Sequence, residues 1–262
     1  GRTYGFRDAL FPQSITSQHK PVLGRNGIRL ALTGDDGRTV YVNKASVPLT
    51  LKGSPGGARA DFGGEAVSAV GTVDVSGFMD FDGFMKYTLK VRPRSGLKKV
   101  ALEIFISPEC AEFLQPLLET SSRDAAGRLP DKPLAFDMMT PQNRRAEIWI
   151  ASDDIGFYFT TDTYGNWQSR PDRMVEIIPQ KGGGALLRLN FYDADKGFTG
   201  ERQWHFFMEA APVRPYPDDY YEAGGRICHG FNPLLARTAV EPDAVKTLEL
   251  DTTGKDWSLE FS

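Results

Sequence analysis

Cysteine and histidine are scarce in this chain, with two and three copies among 262 residues. Cys110 and Cys228 can form one disulfide at most. They build neither a disulfide framework nor a CxxC metal site, and each reads as a buried small hydrophobe. His19, His205 and His229 fall in no HExxH or other ligand spacing, so no metal ligand is named. Cys228 and His229 are neighbours, but adjacent side chains in an extended segment point to opposite faces, which argues against a catalytic dyad. A GxSxG elbow, a phosphate-binding loop and a GxGxxG fingerprint are all missing. The glycines at 182–184 interrupt strands and precede no helix. No catalytic residue and no cofactor follow from these motifs. Basic clusters are lacking too: Lys+Arg 31 against Asp+Glu 34 leaves a net charge of −3. Phosphate neutralisation needs clustered Lys or Arg, so nucleic acid is not an expected partner. No apolar run approaches the roughly 20 residues of a membrane-crossing helix, so no membrane span is expected.

What the chain does have is turn residues, Gly 27 and Pro 17, set between short alternating segments. Ile28 to Leu32 and Thr39 to Val42 flank Gly34-Asp35-Asp36-Gly37, a hairpin signature because Asp-Gly supplies left-handed backbone. Val47 to Leu51 follows, and the stretch Ala66 to Val75 reads as one long strand. Phe84 to Val91 and Val100 to Ile106 place apolar residues on alternate positions, so one face of each should be buried. A second series comprises Ala146 to Ala151, Ile155 to Thr161, Arg173 to Ile178, Ala185 to Tyr192 and Arg202 to Ala210. One helix is expected, starting at Ser107-Pro108-Glu109 with a capping Ser and a first-turn Pro, and limited by Pro116. Residues 119–145 read as a long polar excursion. About ten strands and one short helix exclude a parallel α/β architecture, which needs a helix after each strand. The expected fold is all-β: a large antiparallel two-sheet β-sandwich, supersandwich-like, with one short helix. Three prolines in Pro212-Val213-Arg214-Pro215-Tyr216-Pro217 form a stiff connector. They divide the chain into a sandwich over residues 1–217 and a segment over 218–262. That segment is either the start of a following domain or strands returning to the sandwich.

One turn carries recognition chemistry. Asp162, Tyr164, Asn166 and Trp167 combine acceptors for sugar hydroxyls with a ring that can cover pyranose C–H bonds. The competing reading is a hairpin with polar turns in which Trp167 packs on a sheet. Asp193 and Asp195, with Glu201 further on, lack the full calcium-loop spacing and read as a solvated turn. The Asp-Asp steps at 35–36, 153–154 and 218–219 also read as turns.

Several segments taken in order resemble a known family. They are Phe81-Asp82-Gly83-Phe84-Met85-Lys86-Tyr87-Thr88-Leu89, the step from Leu102 to Phe113, and Trp149-Ile150-Ala151-Ser152-Asp153-Asp154-Ile155-Gly156-Phe157. Asn166-Trp167 and Glu209-Ala210-Ala211-Pro212-Val213-Arg214-Pro215 complete the series. Across residues 20–217 the chain resembles the N-terminal β-sandwich of glycoside hydrolase family 123 proteins, the β-N-acetylgalactosaminidase-like group. The resemblance implies a secreted or periplasmic bacterial carbohydrate-active protein whose catalytic (β/α)₈ barrel follows the sandwich. A barrel needs about 250 residues, whereas residues 218 to 262 are far fewer. The family's adjacent Asp-Glu catalytic pair occurs nowhere in this sequence, so no catalytic residue is carried over. The leading expectation is a non-catalytic sandwich module that supports a catalytic domain of the same parent chain and contacts glycan. A free-standing carbohydrate-binding module is one alternative. The other is an enzyme on a β-supersandwich, with His205 and Tyr158 as its candidate groups.

Overall fold

A computed structural model describes residues 2–53, 59–117, 127–137, 147–161 and 165–212. These belong to the first of two units of the chain, Gly1–Pro215. The 218–262 segment, and with it the proposed division at 217, lies outside the described residues.

The strands in chain order begin with β1 (Arg2–Gly5), β2 (Ser14–Ser17), β3 (Lys20–Pro21), β4 (Leu23–Gly34), β5 (Thr39–Val42) and β6 (Val47–Gly53). Next come β7 (Arg59–Val67), β8 (Gly71–Asp80), β9 (Met85–Pro93), β10 (Leu97–Ile106), β11 (Phe113–Leu117) and β12 (Gly127–Arg128). Last are β13 (Leu134–Phe136), β14 (Glu147–Ala151), β15 (Gly156–Thr160), β16 (Val175–Pro179), β17 (Ala185–Phe198) and β18 (Arg202–Ala211). They form a nine-stranded sheet in the order β12-β11-β14-β15-β18-β9-β8-β7-β6, a six-stranded sheet in the order β13-β16-β17-β10-β4-β5, and a small sheet β1-β2-β3. Every strand pairing within them is antiparallel. The fold is the expected all-β antiparallel one.

Strict alternation drives it. In β9 the residues Met85, Tyr87, Leu89 and Val91 are buried, and in β18 so are Trp204, Phe206, Met208 and Ala210. These inward faces meet the six-stranded sheet through aromatic rings. Phe191 of β17 lies 5.6 Å from both Trp204 and Phe206. Phe206 in turn stacks on Tyr87 at 5.2 Å, and Tyr87 touches Phe62 of β7 at 4.7 Å. Such pairs add roughly 0.5–1.5 kcal/mol each beyond the area they bury.

The outward face of the six-stranded sheet is held by charge. The register sets Glu176 against Arg188, Arg188 against Glu103, and Glu103 against Arg29. Opposite charges thus alternate across four strands, a favourable cross-strand arrangement. Glu103 is 2% exposed, and its two oxygens accept from Arg29 Nε at 2.7 Å and Arg188 Nη2 at 2.9 Å. Burial alone would raise the Glu176 pKa, but the Asn190 hydrogen bond, Arg188 and Lys99 outweigh it and hold the carboxyl below its ordinary value.

Two local expectations are corrected. The stretch Ala66 to Val75 is not one strand but a hairpin, β7 to β8, with its bend at Ala69 and Val70. Ser68 Oγ and N both donate to Gly71 O, at 2.8 and 2.9 Å, closing a short turn whose one sequence signal is the single Gly71. The expected helix is a single capped turn. Cys110 N donates to Ser107 O and Oγ and Ala111 N to Ser107 O, but Phe113–Leu117 then pairs with β14. Sheet pairing outweighs the local helical preference there. Among the described residues the helical structure is one 3₁₀ turn, Pro171–Arg173.

Candidate functional site

The outer face of the nine-stranded sheet gathers aromatic and titratable side chains at positions where alternation calls for polar ones. On β14, Ile148 and Ile150 point inward and leave Trp149 outward. On β15, Phe157 and Phe159 point inward and leave Tyr158 outward. On β18, Phe206 and Met208 point inward and leave Phe207 and Glu209 outward. The ladder then aligns Trp149 with Tyr158 and Tyr158 with Glu209. One row over, it aligns Glu147 with Thr160, Thr160 with Phe207, and Phe207 with Lys86.

The rings form a half-buried strip. Trp149 and Tyr158 are 4.5 Å apart with their planes tilted by 35°. Phe84 stacks on Phe207 at 5.2 Å, and Lys86 Nζ sits 5.3 Å from the Phe207 centroid. Phe81, 75% exposed, projects from the turn that precedes β9. Burial pushes the Tyr158 hydroxyl up to about 12; a hydrogen bond with Thr160 opposes this, while Glu147 and Glu209 add to it. Tyr158 therefore keeps its proton at neutral pH and can both donate and accept. Burial and the neighbouring Asp82 raise the Glu209 carboxyl above its ordinary value against the pull of Arg2, whose Nη1 lies 3.5 Å away. Rings, a protonated phenol, a carboxyl group and an ammonium on one sheet face can cover sugar C–H bonds and exchange hydrogen bonds with hydroxyls.

The turn singled out in the sequence is arranged differently. Asn166 is exposed; its Nδ2 donates to Gln203 O at 2.7 Å, and its carbonyl accepts from Trp204 Nε1 at 2.9 Å. Trp167 is 6% exposed and meets Phe191 edge-on at 4.6 Å, so its ring packs into the core. Asp162 and Tyr164 lie outside the described residues. Of the groups named for a catalytic reading, His205 and Tyr158 both lie on the outer sheet face. His205 is tied on both ring nitrogens, Nδ1 to Thr88 Oγ1 at 3.1 Å and Nε2 to Gln203 Nε2 at 2.8 Å. Asp193 and Asp195 pair with Arg170, and Glu201 pairs with Lys90 and Arg92. Cys110 is buried with a free thiol, which burial pushes up to about 12. Cys228 and His229 lie outside the described residues. The signal that sequence reading passed over is phase: an aromatic residue in the outward register of a strand whose inward positions are already apolar.

Against known families, residues 1–167 match the model described as glycoside hydrolase 123, third domain. The chain belongs to this glycoside hydrolase 123 family. No curated protein matches it. Among solved structures it is similar to a putative aldose 1-epimerase (b2544) from Escherichia coli K12, at 10% identity over 80% of this chain and 99% of that one, with a TM-score of 0.42. A copper-containing benzylamine oxidase from Hansenula polymorpha matches at 8% identity over 81% of this chain and 47% of that one, with a TM-score of 0.37. HI1317 matches at 11% identity, 77% and 85% coverage, and a TM-score of 0.38. The family assignment rests on the family model alone. Among the described residues no helix is long and apolar enough to cross a membrane.

Proposed function

We propose that this chain is a non-catalytic sandwich module of a secreted or periplasmic glycoside hydrolase 123 protein, and that the outer face of its nine-stranded sheet contacts glycan. A domain that its family description numbers as the third belongs beside others, and the module's role is to support a catalytic domain of the same parent chain. The observation that carries the reading is the row Trp149–Tyr158–Glu209, in register across three adjacent strands. A sheet face suits an extended saccharide, because each strand offers a ring or a polar group at the 4.7–4.9 Å strand spacing. Trp167, packed on Phe191, supports this sheet from inside.

Calorimetric titration with neutral oligosaccharides tests the proposal. The chain should bind, and Trp149→Ala should weaken binding by about tenfold or more through lost ring contact, with the melting temperature little changed. Absence of binding to any oligosaccharide, or full binding by Trp149→Ala, overturns the glycan contact.

One observation favours a second reading. Glu209, with its raised pKa beside a protonated Tyr158, has the character of a general acid. Release of reducing sugar by this chain, lost in Glu209→Gln, would replace the module with an enzyme.

A further inference from the structure

A separate cleft of about 570 Å³ opens where the loop after β1, the start of β2, the head of β4 and the segment after β5 converge. Its charged lining is Arg7, Asp8, Arg25 and Lys44. Three cations face one carboxylate, on a chain whose net charge is −3. Among the described residues no ion pair reaches Arg7, Arg25 or Lys44, whereas Arg38, Arg59, Lys90, Arg92, Arg128 and Arg170 elsewhere in the sandwich each have an acidic partner within 4 Å.

The backbone fixes this arrangement. The loop carrying Arg7 is clipped to the segment carrying Lys44 by Ala45 N donating to Asp8 O at 2.8 Å, Leu10 N donating to Asn43 O at 3.0 Å, and a bridge between Ala9 and Lys44. Arg7 itself sits at φ 51°, a left-handed conformation uncommon for a long side chain. Arg25 lies in the irregular stretch of β4 between its pairings with β10, Leu23 against Ile106 and Ile28 against Ile104. Beneath them Gln13 and Asn43 are locked amide to amide, with Nε2 to Oδ1 at 2.7 Å and Nδ2 to Oε1 at 2.6 Å. Gly27, at φ 57°, lets β4 approach Gln13 so closely that a Cβ there would lie 2.7 Å from Gln13 Cα. The backbone thus places the three cations around one concavity with a single carboxylate, Asp8, among them. Concave low-dielectric walls concentrate such a field, and guanidinium groups match carboxylate or sulfate oxygens bidentately.

We infer that this cleft binds an anionic saccharide, one bearing a carboxylate or a sulfate, through Arg7, Arg25 and Lys44, with the Gln13–Asn43 amide pair as its floor. The choice of a saccharide as the carrier of the charge rests on the family reading above. The site is distinct from the aromatic face.

The test is calorimetric titration of the full chain with digalacturonate, galactose 6-sulfate, neutral galactobiose and sodium sulfate, at low and high salt. Digalacturonate or galactose 6-sulfate should bind, more weakly as salt rises, and at least about tenfold more tightly than sodium sulfate. Arg25→Glu and Lys44→Glu, both at exposed positions, should each weaken that binding by about tenfold or more at unchanged melting temperature. The double variant Trp149→Ala/Tyr158→Ala should retain it, so failure of the aromatic face and failure of the cleft are told apart. Equal binding of galactobiose and digalacturonate, sodium sulfate binding as tightly as the charged sugars, full binding by both charge reversals, or loss in the aromatic double variant would each overturn the inference.

Discussion

Replacing Glu103 with Gln isolates the electrostatic core of the six-stranded sheet. Glu103 is 2% exposed and accepts from two guanidinium groups that flank it on adjacent strands. In Glu103→Gln the shape survives but the charge does not, and two cations remain with one neutral amide between them. Each keeps a secondary contact: Arg188 Nη1 lies 3.4 Å from Glu176, and Arg29 lies 3.7 Å over the Tyr41 ring. Breaking a fully buried pair costs about 3–5 kcal/mol. The Arg29 and Arg188 side chains are 27% and 25% exposed, so water screens part of the loss. The expected destabilisation is about 2–4 kcal/mol. At roughly 2–4 °C per kcal/mol for a domain of this size, the melting temperature should fall by about 4–16 °C. Urea unfolding followed by tryptophan fluorescence reads the change as a lower midpoint at constant slope. The triple variant Arg29→Met/Glu103→Leu/Arg188→Met removes the charges together and should recover most of the loss. A Glu103→Gln midpoint equal to that of the parent would refute the reasoning, because the row would then be ornamental to stability.

Trp167→Ala should cost about 3–5 kcal/mol through the void left beside Phe191, read in the same unfolding assay, and should leave glycan affinity of the folded fraction unchanged. The Glu209 carboxyl, raised in the folded state by burial and Asp82, binds its proton more tightly folded than unfolded. Stability should therefore fall as pH rises from the ordinary carboxyl range through this raised value, because the folded state gives up its proton later than the unfolded one. Glu209→Gln should flatten that part of a melting-temperature profile against pH.

Fold class was legible in the sequence because alternation is strict where one face is buried. Met85, Tyr87, Leu89 and Val91 read directly as the inner face of β9, and Asp-Gly marked the β4–β5 turn. What escaped was set by non-local forces. Ser107 does cap a helical turn, but Phe113 onward is captured by β14, a partner more than thirty residues away in sequence. The bend after Ser68 is closed by that residue's hydroxyl and amide on Gly71 O, with no turn dipeptide to mark it. The short strands β1 to β3 carry too few apolar residues to show a period. At the candidate site, Asn166 and Trp167 are neighbours in sequence, yet one faces solvent and the other Phe191. Trp149, Tyr158 and Glu209 come from three strands, and only the ladder registers bring them together.

The four tryptophans offer the sharpest check. In an ¹⁵N-labelled sample titrated with a neutral oligosaccharide, the Trp149 indole resonance should shift progressively while those of Trp167 and Trp204 hold still. Movement of the Trp167 signal with Trp149 stationary would contradict a saccharide lying on the outer face of the nine-stranded sheet.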